Sequence, residues 1–186
     1  NLKIMLNGLN FIEKYAKPGD VVNISLGTKN KGKDCSWGQL GRKIQDIAAK
    51  KIFIVFSAGN ETDLNSTNFP SCLADGNFMI SVGSIDMYCG GETIVYSSFS
   101  NFGTISFGSQ NSPIWVAPGD QIFSTFPPKL VGNGMDKGTY ALVAGTSFSA
   151  AMMSGIIYTL GTLPTGEITT KRGGDNLDYP IAKVRY

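Results

Sequence analysis

The run Ile52-Phe53-Ile54-Val55-Phe56 constrains the fold more than any other stretch of the chain. Every residue in it is β-branched or aromatic, and no polar residue alternates with them. That is the pattern of a strand covered on both faces, as in a parallel sheet. Such a sheet needs helices above and below it, and the flanking sequence supplies them. Leu2, Met5, Leu9, Ile12 and Ala16 recur at helical spacing, Gly8 weakens that helix slightly, and Lys17-Pro18-Gly19-Asp20 ends it. Val21-Val22-Asn23-Ile24-Ser25-Leu26 is a second strand, closing at Gly27. Residues 36–50 put Leu40, Ile44, Ile47 and Ala48 on one face of a second helix. Helix, strand, helix, strand is a βαβ unit with a right-handed crossover. The class is α/β: a mainly parallel sheet with helices on both faces.

Further strands are predicted at 78–85, 115–119 and 122–125, with a turn at Gly90-Gly91. A later apolar run ends at Gly145-Thr146-Ser147, and small and apolar residues then follow with no breaker before Gly155. This is a loop running into a helix, with Ser147 in or just before its first turn. After Leu163-Pro164 the sequence turns polar, and residues 161–186 read as a loosely packed tail.

Length and charge bound the function. A chain of 186 residues, 42% apolar and 16% charged, is the size and composition of one globular domain. A net charge of +2 without a basic cluster gives nucleic acid nothing to bind. No stretch approaches the ~20 apolar residues of a membrane span. Cys35, Cys72 and Cys89 lack metal-ligand spacing, and their odd number leaves two states open: one bridge and one thiol, or three thiols. The chain contains no histidine.

Ligands of open α/β sheets gather beyond the carboxyl ends of the strands. Two strand ends stand out, Ser25-Leu26-Gly27 and Ser57-Ala58-Gly59-Asn60-Glu61. Asn60 offers a side-chain amide, although alone it reads as a turn asparagine. A hydroxyl at Ser147 would lie beside unpaired helix N–H groups and the positive end of the helix dipole. Both favour a developing oxyanion. Alone, Ser147 reads as a helix cap.

The blocks VVNISLG, IVFSAGNE, FPS, ISVGSID, SSFSNFG, VAPGDQIFST and GTSFSAAMMSG, in that order, resemble the C-terminal part of a subtilisin-like serine protease, or subtilase. The resemblance spans roughly residues 5 to 160 and rests on seven ordered motifs. It implies that Ser147 is the nucleophile of a serine endopeptidase. It implies that Asn60 and the Ser147 backbone N–H form the oxyanion hole. Ser25, Leu26, Gly27, Ser57, Ala58 and Gly59 would bind the substrate, walling the S1 pocket. The first of these segments would also pair with an extended peptide. Phe69, Pro70 and Ser71 would lie near the bottom of that pocket, with Ser71 making it shallower, and Glu61 at its rim. No cofactor is needed. Structural calcium is a family trait, but Asp86, Asp120 and Asp136 are isolated turn residues and name no ligand set.

Two departures matter. Where the family motif continues with proline and histidine, this chain has Ala151 and Met152, and alanine preserves the helix. The family's catalytic Asp and His belong to an N-terminal half for which this sequence has no counterpart. A serine hydroxyl needs a neighbouring base to attack. The expectation is therefore a two-chain enzyme, with an N-terminal fragment carrying Asp and His as its partner and the first residue, Asn1, lying just after a cut in a loop. Without that half the sheet would expose apolar faces and an unpaired edge. The alternative is a catalytically dead subtilase fold that binds a peptide or protein. A bare α/β binding module fits the ordered motifs least. The resemblance implies a secreted or cell-surface protein.

Overall fold

A computed structural model describes residues 2–29, 35, 38–64, 68–87, 94–107, 110–126, 140–166, 169–172 and 176–183. Its centre is a parallel sheet. Strand β1 (Val21–Ile24) lies beside β2 (Phe53–Ser57), and β2 lies beside β3 (Met79–Met87), all parallel. Strand β3 is long enough for more partners. Its residues 85–87 pair antiparallel with β4 (Ile94–Tyr96), beyond the end of β2. Its opposite edge takes β7 (Trp115–Pro118) in parallel register, Val82 beside Trp115.

The two faces of β2 go to different helices because side chains alternate along a strand. Ile54 and Phe56 pack against Leu9 of helix α1 (Leu2–Tyr15) and against Leu40, Ile44 and Ile47 of α2 (Gly38–Ala49). Phe53 and Val55 pack on the other face against Ala150, Met153 and Ile157 of α3 (Thr146–Leu160). Ile54, Val55, Phe56, Ile44, Ile47 and Ile157 are all wholly buried. The layered α/β architecture expected from the apolar runs is the one observed.

Several details differ from expectation. Strand β1 stops at Ile24, because Ser25, Leu26 and Gly27 leave the ladder and Thr28 pairs with Phe69 instead, through N–H···O bonds of 2.9 and 3.0 Å. Helix α3 does not stop at Gly155. A lone glycine costs a helix only about 1 kcal/mol, and the buried face of α3 carries it on to Gly161, whose φ of 69° closes it. The start expected for α2, at 36–37, lies outside the described residues, as does the Gly90-Gly91 turn.

The expected loose tail is a correction. Strand β11 (Asp178–Pro180) pairs with β10 (Thr169–Lys171), Ile181 bridges to Val116, and Tyr179 is 1% exposed with its hydroxyl accepting the Gly103 N–H at 2.9 Å. Three apolar or aromatic anchors, Tyr179, Ile181 and Ala182, outweigh the polar composition around them. Two more antiparallel pairs complete the chain: β5 (Thr104–Phe107) with β6 (Gln110–Pro113), and β8 (Ile122–Thr125) with β9 (Tyr140–Val143).

Cys35 and Cys72 form a disulfide, which resolves the cysteine count in favour of a bridge; Cys89 lies outside the described residues. No helix among the described residues is long and apolar enough to cross a membrane.

One edge of the sheet stands out. Among the described residues β1 pairs only with β2, so its other edge presents unpaired backbone groups. Two grooves flank it. One, of about 340 Å³, runs between α1 and β1 and is lined by Met5, Leu9, Ile12, Val22, Ile24 and Leu26. The other, of about 350 Å³, is lined by Phe11, Tyr15, Val21 and Tyr158, and of these Phe11 and Tyr158 are 65% and 75% exposed.

Candidate active site

Strands β1 and β2 end side by side, and the first turn of α3 sits at that end. Ser147 is the second residue of α3. The helix is capped from elsewhere in the chain. Its N-cap residue, Gly145, has no side chain and a φ of 150°, a conformation glycine tolerates best. The capping oxygen comes from Asn60, 86 residues away: Oδ1 accepts the Thr146 N–H at 2.9 Å and the Thr146 hydroxyl at 3.0 Å. Thr146 Oγ1 in turn accepts the Gly59 N–H at 3.2 Å. Ser147 is therefore not the cap, and its hydroxyl is left for other work.

This bonding fixes the orientation of the Asn60 amide. A backbone N–H can only donate, so the atom facing Thr146 is the oxygen. The other end, Nδ2, lies over Gly145, about 3.6 Å from where a β-carbon there would stand. Neither Asn60 Nδ2 nor the Ser147 N–H has an acceptor among the described residues. Two donors at one helix start are thus uncommitted.

The substrate segments named from the sequence meet here in part. Ser25 is joined to Ser147 in both directions: the Ser25 hydroxyl donates to the Ser147 carbonyl at 2.9 Å, and the Ser147 hydroxyl donates to the Ser25 carbonyl at 3.3 Å. Leu26 is half exposed, and Gly27 backs onto the Phe69 carbonyl. A small pocket of about 170 Å³ opens between Met5, Leu26, Gly27, Leu40, Phe69 and Pro70. Ser57 ends β2, and Ala58 is wholly buried with its N–H donating to Val82. Ser71 is turned away from the cleft. It is buried, and its hydroxyl shares a 2.7 Å hydrogen bond with that of Ser81.

Asn101 is the residue that sequence reasoning passed over. It is wholly buried, and all of its side chain is used: Oδ1 accepts the N–H groups of Glu61 and Asp63 at 3.0 and 2.9 Å, and Nδ2 donates to the Ala58 carbonyl at 2.9 Å and to Glu61 Oε2 at 2.8 Å. Asn68 Nδ2 donates to the same carboxylate oxygen at 2.6 Å. Glu61 therefore braces the loop that carries Asn60. The brace packs beneath Gly59, whose φ is 108°, so any side chain at 59 would strike Asn68, Asn101 and Glu61. The only signal for Asn101 was its place in the SSFSNFG motif, which gave it no role. At the outer rim Lys29 pairs with Asp63 at 2.9 Å, and that hydrogen bond raises the Lys29 pKa above its usual value.

Among the acidic positions weighed for calcium, Asp86 Oδ2 accepts from Gln121 Nε2 at 3.1 Å and Asp120 Oδ1 accepts the Gln121 N–H at 2.9 Å. Among the described residues no three His, Cys, Asp or Glu side chains are grouped so as to hold a metal ion, and Asp136 lies outside them.

A serine in the first turn of a helix, beyond the carboxyl ends of parallel strands and beside a fixed amide, is an arrangement of α/β hydrolytic enzymes. The chain belongs to the subtilase family, peptidase family S8, whose sequence model matches residues 2–161. It is thus a member of a family of subtilisin-like serine proteases. Solved structures agree in fold. A self-cleaved protease domain of PatA superposes with a TM-score of 0.61 at 23% identity, over 83% of this chain and 49% of that one. A cold-adapted subtilisin-like serine proteinase gives 0.58 at 23% identity, over 83% and 45%. The prenylagaramide maturation protease PagA gives 0.58 at 20% identity, over 86% and 48%. The chain spans about half the length of these proteins.

Proposed function

We propose that this chain is the C-terminal part of a serine endopeptidase in which Ser147 attacks the scissile carbonyl. Asn60 Nδ2 and the Ser147 N–H are the oxyanion donors. The Asp and His of the triad come from an N-terminal fragment, held as a separate chain, that packs along the free edge of β1. The observation that carries the reading is the commitment of Asn60 Oδ1 to Thr146, which leaves Nδ2 as a donor at the same helix start as the Ser147 N–H. A fixed pair of donors stabilises a negative charge without reorganising. The peptide binds as an added strand along Ser25-Leu26-Gly27, with Ser57-Ala58-Gly59 opposite.

The missing base supports the second half of the reading. The chain has no histidine, and among the described residues Ser147 Oγ meets only a backbone carbonyl. A base must come from outside these residues, and the strand with the free edge, β1, runs into Ser25, which is hydrogen-bonded to Ser147. Apolar grooves on both sides of that edge give an incoming strand and its helices surface to cover. The reaction needs no cofactor. The Cys35–Cys72 bridge suits an oxidising compartment, and so a secreted or cell-surface protein.

Denaturing intact-mass analysis of the catalytically active native protein tests the two-chain arrangement. The expected result is a second, histidine-bearing polypeptide in equal amount. A single covalent chain that carries both the histidine and Ser147 would overturn that arrangement and keep the site. Activity that survives Ser147→Ala would overturn the site itself.

A further inference from the structure

The two hydrogen bonds between Ser25 and Ser147 are not equal. The Ser25 hydroxyl reaches the Ser147 carbonyl at 2.9 Å, near the usual O–H···O separation. The Ser147 hydroxyl reaches the Ser25 carbonyl at 3.3 Å, beyond that range. One contact is firm and the other is loose. The firm one is supported from behind. Asn23, on β1, lies 2.9 Å through Nδ2 and 3.2 Å through Oδ1 from Ser25 Oγ. A hydroxyl has one proton. With that proton given to the Ser147 carbonyl, Ser25 Oγ accepts from Asn23 Nδ2. The hydrogen bonds then run from Asn23 through Ser25 to the Ser147 carbonyl, which accepts the last of them.

We infer that Asn23 and Ser25 are positioning residues for the nucleophile: they clasp the backbone of Ser147 to the end of β1 while leaving its hydroxyl on an acceptor it readily gives up. The inference rests on the reading of Ser147 as nucleophile. It assigns a role that the sequence motifs do not give to Asn23 or to the Ser25 hydroxyl, since Ser25 was singled out only as part of the substrate-binding segment. The geometry explains why the clasp is needed. Ser147 stands on α3, and the substrate-binding segment stands beyond β1. Those elements meet across 122 residues of sequence, and about an ångström of drift between them is enough to spoil attack. A clasp to the Ser147 carbonyl fixes the backbone and leaves χ1 of the side chain free. The loose bond then acts as a resting place. An extended substrate offers its own N–H to the Ser25 carbonyl, a better donor for that position than a hydroxyl 3.3 Å away. Binding therefore turns the Ser147 hydroxyl off the carbonyl and toward the reacting carbon.

The test uses the whole active protein, with the histidine-bearing portion present, and the variants Ser25→Ala, Ser25→Thr, Asn23→Ala and Ser147→Ala. Two readouts are taken: steady-state peptidase kinetics and the labelling rate of Ser147 by a small fluorophosphonate that makes no strand contacts. Ser25→Ala is expected to lower kcat and the labelling rate about tenfold each, the size of one hydrogen bond of ordinary net worth. KM should stay within about twofold, and Asn23→Ala should give a smaller loss of the same kind. Ser25→Thr keeps the hydroxyl and should recover most of the labelling rate. Unchanged labelling in both Ser25→Ala and Asn23→Ala, or a loss confined to KM, would overturn the clasp. If Ser25→Ala does not fold, Asn23→Ala and Ser25→Thr decide the matter, because neither removes the Ser25 hydroxyl. Ser147→Ala separates the two levels. Retained activity there overturns the protease site, whereas lost activity with normal Ser25→Ala and Asn23→Ala rates overturns the clasp alone.

Discussion

Asn60 has two jobs that substitution can separate. Its oxygen caps α3 through Thr146, and its nitrogen is the proposed oxyanion donor. Asn60→Asp keeps an acceptor for the cap and removes the donor. It should leave thermal stability near the native value while lowering kcat about 10²–10³-fold, the loss known for removal of such a donor in subtilisin. Asn60→Ala should show the same kinetic loss and a further destabilisation of about 1 kcal/mol from the missing cap. Equal and near-native kcat in both variants would remove Asn60 from the chemistry. This dual use was not legible in the sequence. The SAGN motif marked Asn60, but a cap supplied from 86 residues away leaves no local pattern. Asn101 was illegible for the same reason, since its four partners are scattered over Ala58, Glu61 and Asp63.

The elements show the opposite balance. Helices α1 and α2 and the four parallel strands were readable, because buried faces impose a pattern on the sequence. What periodicity cannot supply is termination. Gly155 looked like a breaker and is simply an exposed helix residue, while residues 161–186 looked loose and instead fix Tyr179 against Gly103. The Gly119 carbonyl accepts the Gly145 N–H at 2.8 Å, and a β-carbon at 119 would meet Ser84 Oγ at 2.7 Å and the Gly145 carbonyl at 3.0 Å. Gly119→Ala should therefore push α3 off its seat and cost about 1–3 kcal/mol in urea unfolding. A cost near zero would mean that the start of α3 is loosely held. Between α1 and α2, the Lys43 ammonium holds the Glu13 carboxyl below its usual pKa, with Lys50 adding a second attraction. A lowered carboxyl stabilises the fold above its unfolded pKa, near 4.3, and loses that contribution as pH falls through its folded value. Glu13→Gln should accordingly flatten the acid limb of a stability–pH curve below about pH 5, and added salt should do the same to the native protein. An unchanged acid limb in Glu13→Gln would show that this pair is not what couples α1 docking to pH.

At the scale of the molecule, Ile181 bridges the outer edge of β7, while among the described residues the outer edge of β1 has no strand partner. The Cys35–Cys72 bridge closes a loop over 37 positions that includes α2 and β2. By loop-closure entropy such a bridge contributes roughly 3–4 kcal/mol, so reduction should lower the thermal midpoint clearly. The free edge of β1 and its two grooves are the surface on which the proposed N-terminal fragment packs. The most direct measurement is fluorophosphonate labelling with peptide mapping, run on the native protein and on these 186 residues expressed alone. An adduct is expected on Ser147 in the native protein and none on the isolated residues, because only the former brings a histidine to the hydroxyl. Labelling of Ser147 at the native rate in the isolated residues would overturn the need for a histidine-bearing partner, and a native protein that labels at another serine would overturn Ser147 as the nucleophile.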